Sequence, residues 1–199
     1  MASITFDSVY NALKFKGYEI FETDNLPYSL NIIGIRNNNR TPNSFDDYTV
    51  VMWKYKGQWN FNKYEATTDP GLYYLNHPLS PKGTAILKEG QYLHCYCLGL
   101  HQGKYKALMQ FMPVTVIRDF NKDNYLDLAS SREETGIFGI NIHRANLSGK
   151  TINVNQWSAG CHVFADSGQF NKFISLCEKA EKYWGKTFSY TLISTSDLK

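Results

Sequence analysis

Tyr48-Thr-Val-Val-Met-Trp-Lys-Tyr-Lys-Gly-Gln-Trp-Asn-Phe-Asn-Lys-Tyr64 holds two β-prone runs, 48–54 and 58–64, around Tyr55-Lys56-Gly57. Branched and aromatic side chains on both sides of a Gly-containing break predict a β-hairpin. Working outward, runs of the same kind occur at 18–21, 30–36, 114–117 and 188–193. Residues 91–99 and 105–111 form a second expected hairpin across Leu100-His101-Gln102-Gly103. Asn37-Asn38-Asn39-Arg40-Thr41-Pro42 is a loop by composition, and 67–71 and 77–83 are rich in turn residues. Two helices stand out. Thr5 caps an expected helix over 6–16, with Phe6, Val9, Tyr10 and Leu13 on one face and Gly17 as its stop. Asp166 or Ser167 opens the second, along which Phe170, Phe173, Ile174, Cys177, Ala180 and Trp184 recur at helical spacing until Gly185. The expected class is mainly β, with a short N-terminal and a longer C-terminal helix.

With 199 residues the chain suffices for one large domain, and no repeat or linker divides it. An aromatic share of 15% suits sheets and also clefts that hold sugars or peptides. The formal net charge is +3 without a Lys/Arg run, so nothing points to nucleic acid as a partner. No apolar run approaches the ~20 residues that span a bilayer, which argues against membrane insertion. Residues 1–11 lack a secretory signal pattern. The expectation is therefore synthesis as a soluble cytoplasmic protein. Cys95 and Cys97 lie two apart on an expected strand, where geometry disfavours a disulfide and zinc spacing is absent. Cys177 falls on a helical apolar stripe and reads as core.

Cys161 is different. It closes Ser158-Ala159-Gly160-Cys161, where small residues leave the backbone N–H groups open to a substrate carbonyl. Upstream, Gly139-Ile140-Asn141-Ile142-His143 alternates, so Ile140 and Ile142 face one side while Asn141 and His143 face the other. A thiol that attacks a carbonyl must lose its proton, and an imidazole takes it. His143 is the expected base for a Cys161 of lowered pKa. His162 directly follows Cys161, but neighbouring side chains in extended backbone diverge, which leaves it a place in the cleft wall.

The spacing from His143 to Ser158-Ala159-Gly160-Cys161 resembles the catalytic motif of the L,D-transpeptidase (YkuD) family. Ala66-Thr67-Thr68-Asp69-Pro70-Gly71 and Ser80-Pro81-Lys82-Gly83-Thr84-Ala85-Ile86 are similar to two upstream segments of that family, in the same order. The resemblance covers residues 48–165, and 88–134 reads as an insertion within it. It implies a β-sandwich-like catalytic domain acting on peptidoglycan stem peptides without a cofactor. Cys161 would be the acyl-forming nucleophile, His143 the base, the Gly160 and Cys161 N–H groups the carbonyl polarisers, and Ser158 the loop's organiser. Asn141, Arg144, His162, Trp157 and Asp69 are the expected substrate-binding residues. Three positions depart from the pattern. Ala159 replaces the motif's second His, Val163 replaces an Asn or Arg, and Arg144 replaces the Gly that commonly follows the catalytic His. The whole chain also resembles small phage-borne proteins, which implies action at the bacterial wall after release or from a phage particle.

Two alternatives stand beside this reading. A glycan hydrolase on the same scaffold would need two facing carboxyls, drawn from Glu65, Asp69, Asp119, Asp123, Glu133 and Glu134. A non-catalytic wall-binding module is the other. Asp119, Asn121, Asp123 and Asp127 place oxygens at alternate positions, like the start of a calcium loop, but Asn124 and Ser130 stand where that loop needs Gly and Glu. A solvated turn held by Asx bonds is the preferred reading there.

Overall fold

The computed structural model of the chain describes residues 3–130 and 132–199. Helix α1 (Phe6–Phe15) precedes β1 (Asn31–Arg36), β2 (Asp47–Tyr55) and β3 (Gln58–Thr67). A short helix, α2 (Leu72–Asn76), leads to β4 (Thr84–Leu87), β5 (Gly90–His101), β6 (Tyr105–Gln110), β7 (Val114–Asp119) and β8 (Glu133–Gly136). Then come β9 (Ile142–Arg144), β10 (His162–Phe164), α3 (Ser167–Trp184) and β11 (Thr187–Ser194). The main sheet is not a sandwich. Eight strands close a barrel in the order β1-β11-β5-β6-β9-β10-β3-β2, and β4-β7-β8 form a separate three-stranded sheet. Closure depends on β5 and β6, which bridge β11 to β9. Within the stretch 88–134, β5 and β6 therefore supply barrel wall, while β7 belongs to the smaller sheet.

Local chemistry explains the elements. Lys56 and Gly57 both take positive φ, at 50° and 76°, and Tyr55 pairs with Gln58, so the first hairpin turns in two residues. Thr5 forms a capping box with Ser8 at the start of α1. The Asp166 carboxylate accepts from the Gln169 N–H at the start of α3, and Gly185 ends that helix at φ 89°. Residues 18–21 do not join a sheet. The Asn31 side chain takes both backbone groups of Phe21, and the Gln91 side chain takes both of Glu19, so amides do the work of a neighbouring strand.

β1 is buried along its whole length because each face meets a different layer. Ile33 and Ile35 pack with Val50, Met52 and the α1 residues Val9, Ala12 and Leu13. Ile32 joins the larger cluster inside the barrel, with Val51, Tyr96, Leu108, Ile142, Phe164 and Tyr190. The α3 stripe of Phe170, Phe173, Ile174, Cys177 and Ala180 closes onto that cluster.

One charge lies within this packing. Arg36, at the end of β1, is 1% exposed. Its guanidinium donates to the Leu87 carbonyl, to Thr68 Oγ1 and to the Thr68 carbonyl, and it pairs with Asp69 at 2.8 Å. Asp47 accepts from the backbone of Asn37 and Thr68 and from the Thr68 hydroxyl. Burial pushes both carboxyls up, while Arg36 pulls both down. Asp69 is thus committed to Arg36 rather than to a substrate. Removing one member of a buried ion pair strands the other. Arg36→Ala is expected to cost about 3–5 kcal/mol of stability. Urea unfolding of both proteins measures it, and an unchanged midpoint and slope would contradict the account.

Candidate functional site

The end of the β5–β6 hairpin, strand β9 and the loop before β10 converge on one place. Cys161 sits where two clefts meet. One, of about 580 Å3, is lined by His101, Lys104, Tyr105, His143, Arg144 and Trp157, among others. The other, of about 350 Å3, runs past Thr84, Ala85, Arg118, Phe138 and Ile140. Tyr74, Leu79, Ala159 and Cys161 line both.

The Cys loop is built by its small residues. Ser158 donates its hydroxyl to the Cys161 carbonyl at 2.7 Å and accepts the Gly160 N–H at 3.1 Å. Ser158 is the expected organiser, yet the Gly160 N–H it accepts is no longer free for a substrate carbonyl. Gly160 has φ 122°, and a Cβ there would stand 2.2 Å from the Ala85 carbonyl oxygen. Only glycine fits both the angle and the space. The Ser158 carbonyl accepts the Gly71 N–H. Both upstream segments noted in the sequence thus touch the Cys loop, one through Gly71 and the other through Ala85.

His143 is 4% exposed and held from several sides. Its Nδ1 lies 2.9 Å from the Arg144 carbonyl. A carbonyl only accepts, so Nδ1 carries the proton and Nε2 keeps the lone pair. The Tyr105 hydroxyl donates to the same carbonyl. The His101 ring stacks on His143 with centroids 4.1 Å apart and planes 16° from parallel. Burial, helped by His101, pushes the His143 imidazole down to about 4. Burial pushes the Cys161 thiol up to about 11, against the pull of the Asn141 N–H. The resting thiol is therefore not the low-pKa nucleophile that sequence reasoning expects. It is neutral, and its S–H is directed at the Gly139 carbonyl, 3.3 Å away. A general base that takes the proton during attack suits this state better than a preformed ion pair.

The other expected residues divide. Arg144 and Trp157 line the larger cleft. Asn141 is 9% exposed and ties elements together, its side-chain oxygen accepting from the Gln110 N–H while its carbonyl accepts from His162. His162 does not reach either cleft. It is 0% exposed and bonds the Tyr190 hydroxyl within the barrel, where burial pushes its imidazole down. Asp69 faces Arg36, as described above. In the 119–127 loop, Asn121 donates to both Asp123 and Asp127, Asp119 accepts the Asp127 N–H, and Arg40 pairs with Asp127. The Asp123 and Asp127 oxygens are engaged within the loop and by Arg40, while Asp119 Oδ1 is buried without a partner among the described residues. Among the described residues no group of three or more His, Cys, Asp or Glu is placed to hold a metal ion, and no helix is long and apolar enough to cross a membrane.

His101 and Tyr105 are the residues that sequence reasoning missed. They pair across the end of the β5–β6 hairpin, which delivers both rings to His143. The available signal was a His and a Tyr flanking one short turn. No family model, curated protein or solved structure matches the chain.

Two outcomes check the electrostatics. The alkylation rate of Cys161 by iodoacetamide is expected to climb about tenfold per pH unit from neutrality toward pH 11, because the thiolate fraction does so below the thiol pKa. A plateau beginning near pH 7 would instead reveal an ion pair. The His143 imidazole is expected to titrate near pH 4 by NMR, and a midpoint at 6.5 or above would contradict the packing described.

Proposed function

We propose that this protein is a cysteine acyl-transfer enzyme acting on peptidoglycan stem peptides, with water as the usual acceptor. The observation that carries the reading is the place of Cys161 at the junction of two clefts, the larger of which it shares with a histidine whose tautomer is set by the Arg144 carbonyl. The L,D-transpeptidase-like order of segments supports the substrate class, since those segments pack around the Cys loop.

The chemistry is balanced by these groups alone. The Cys161 sulfur attacks the peptide carbonyl carbon as His143 Nε2 takes the thiol proton. With the Gly160 N–H taken by Ser158, the Cys161 N–H is the motif donor proposed for the developing oxyanion. His143 then gives the proton to the leaving nitrogen as the C–N bond breaks, which leaves a thioester. Water, deprotonated by His143, cleaves the thioester, restoring the thiol and releasing a carboxylic acid. Ala159 lines both clefts without a polar group to seat an amine acceptor, which favours hydrolysis over cross-linking. Val163 is buried and has no part in that choice.

The carboxylate reading fares less well, because among the described residues no Asp or Glu lines either cleft at Cys161. Of its named residues, Glu65 pairs with Lys150, Asp69 with Arg36, Glu133 with Lys88, and Glu134 with Lys82 and Arg118. Mass spectrometry of purified peptidoglycan after incubation separates the readings. Shortened stem peptides are expected from the native protein, and a loss of several orders of magnitude in rate from folded Cys161→Ala. Cross-linked peptides would show transpeptidation, cut glycan with intact peptides a glycan hydrolase, and unchanged peptidoglycan a binding module.

A further inference from the structure

The chain has five arginines, and their partners differ. Arg36, Arg40 and Arg118 each pair with a carboxylate. Arg132 and Arg144 instead lie over aromatic rings, Phe120 and Tyr105 respectively. Of these two, Arg144 alone lines the cleft that holds His143. Its guanidinium sits 4.2 Å from the Tyr105 ring centroid. That ring is fixed in turn, because the Tyr105 hydroxyl bonds the Arg144 carbonyl. The guanidinium is thus held in place by a π-face rather than neutralised by an acid.

The rest of the cleft agrees. Lys104 adds a second cation, and among the described residues no Asp or Glu lines it. Leu79, Leu147 and Trp157 supply an apolar, exposed rim. The opposite cleft contrasts with this. Its one cation, Arg118, is engaged by Glu134 and by the Gly83 carbonyl. Cys161 therefore divides a cationic cleft from one whose charge is already satisfied.

We propose that the cleft on the His143 side is a carboxylate-recognition site, with Arg144 as its anchor. The inference rests on the acyl-transfer reading for one point, which side of the scissile bond the carboxylate occupies. His143 returns its proton to the leaving nitrogen, so the leaving portion lies on the His143 side. Arg144 is the next residue on the same strand. The carboxylate it takes belongs to the leaving portion, and a planar fork of N–H donors suits that group.

Binding tests this without turnover. Two synthetic N-acetylated stem tetrapeptides, one ending in a free carboxylate and one in a carboxamide, are titrated into folded Cys161→Ala protein, with Cys161→Ser as the second background. Calorimetry reads the affinity, and Trp157 fluorescence reports the occupied cleft. The carboxylate peptide is expected to bind at least tenfold tighter. Arg144→Gln is expected to bring the two peptides to equal, weak affinity, and Arg144→Lys to keep part of the difference. Equal affinities in the Arg144-containing protein, undiminished discrimination in Arg144→Gln, or no binding of either peptide would each overturn the proposal. Intact-mass detection of a Cys161 thioester, in protein that keeps the thiol, isolates the other reading. Thioester formed equally from both peptides would remove the role of Arg144 and leave the chemistry. Discrimination with neither a thioester nor any cleaved peptide would support the carboxylate site and remove the chemistry.

Discussion

A buried arginine sets the frame on which the site is hung. Arg36 cannot stay in the interior without donors satisfied and charge balanced, because an unpaired buried cation is among the costliest arrangements a fold can hold. Its partners come from two stretches of chain away from β1: the Thr68–Asp69 turn after β3 and the Leu87 carbonyl at the end of β4. Meeting that demand locks the turn against β4. Two residues on, Gly71 donates to the Ser158 carbonyl, and two residues before Leu87 the Ala85 carbonyl presses on Gly160. The position of the nucleophile loop is thus inherited, step by step, from where a guanidinium finds its acceptors.

The base is placed by an independent route. His143 has no acidic partner to orient it. A carbonyl on its own strand, a tyrosine hydroxyl and a second imidazole take that role. Burial and the stacked His101 favour the neutral ring, against the pull of the Arg144 carbonyl toward the charged one. A carboxylate partner would hold the imidazole charged, whereas a stacked histidine penalises the charge. The consequence is a thiol and an imidazole that are both neutral at rest.

Much of the scaffold was legible because it is written locally. The Thr5 and Asp166 caps, the Gly185 stop and the Lys56-Gly57 turn need only their neighbours. What failed was what depends on distant pairing. Strands β4, β8 and β10 have three or four residues each, too few for a period to show. Residues 18–21 carry strand chemistry, but the amides of Asn31 and Gln91 reach them first. Within 88–134, which the resemblance reads as an insertion, β5 and β6 find partners at β11 and β9, far along the chain, and β7 finds one at β4. The site divides the same way. Cys161, His143, Ser158 and Gly160 came from one motif. His101 and Tyr105 required knowing that a hairpin ends against β9. Asp69 and His162 are chemically apt residues that the fold spends on Arg36 and Tyr190.

The neutral resting pair and the cationic cleft bear on each other. An imidazole near 4 is a feeble base for a thiol near 11, so the free protein is poorly disposed to modify its own nucleophile. A carboxylate entering beside Arg144 brings negative charge toward His143, which favours the protonated imidazole. The same ligand displaces water from a cleft whose walls are already apolar at Leu79, Leu147 and Trp157. On the proposed reading, such a ligand would strengthen the base only when there is a bond to break. That division of labour accounts for an otherwise awkward feature, a nucleophile and a base each tuned away from reactivity. On the same reading Arg144, which lies over Tyr105, stands on the side of the proposed base, where its ligand's charge would act on the group that accepts the proton.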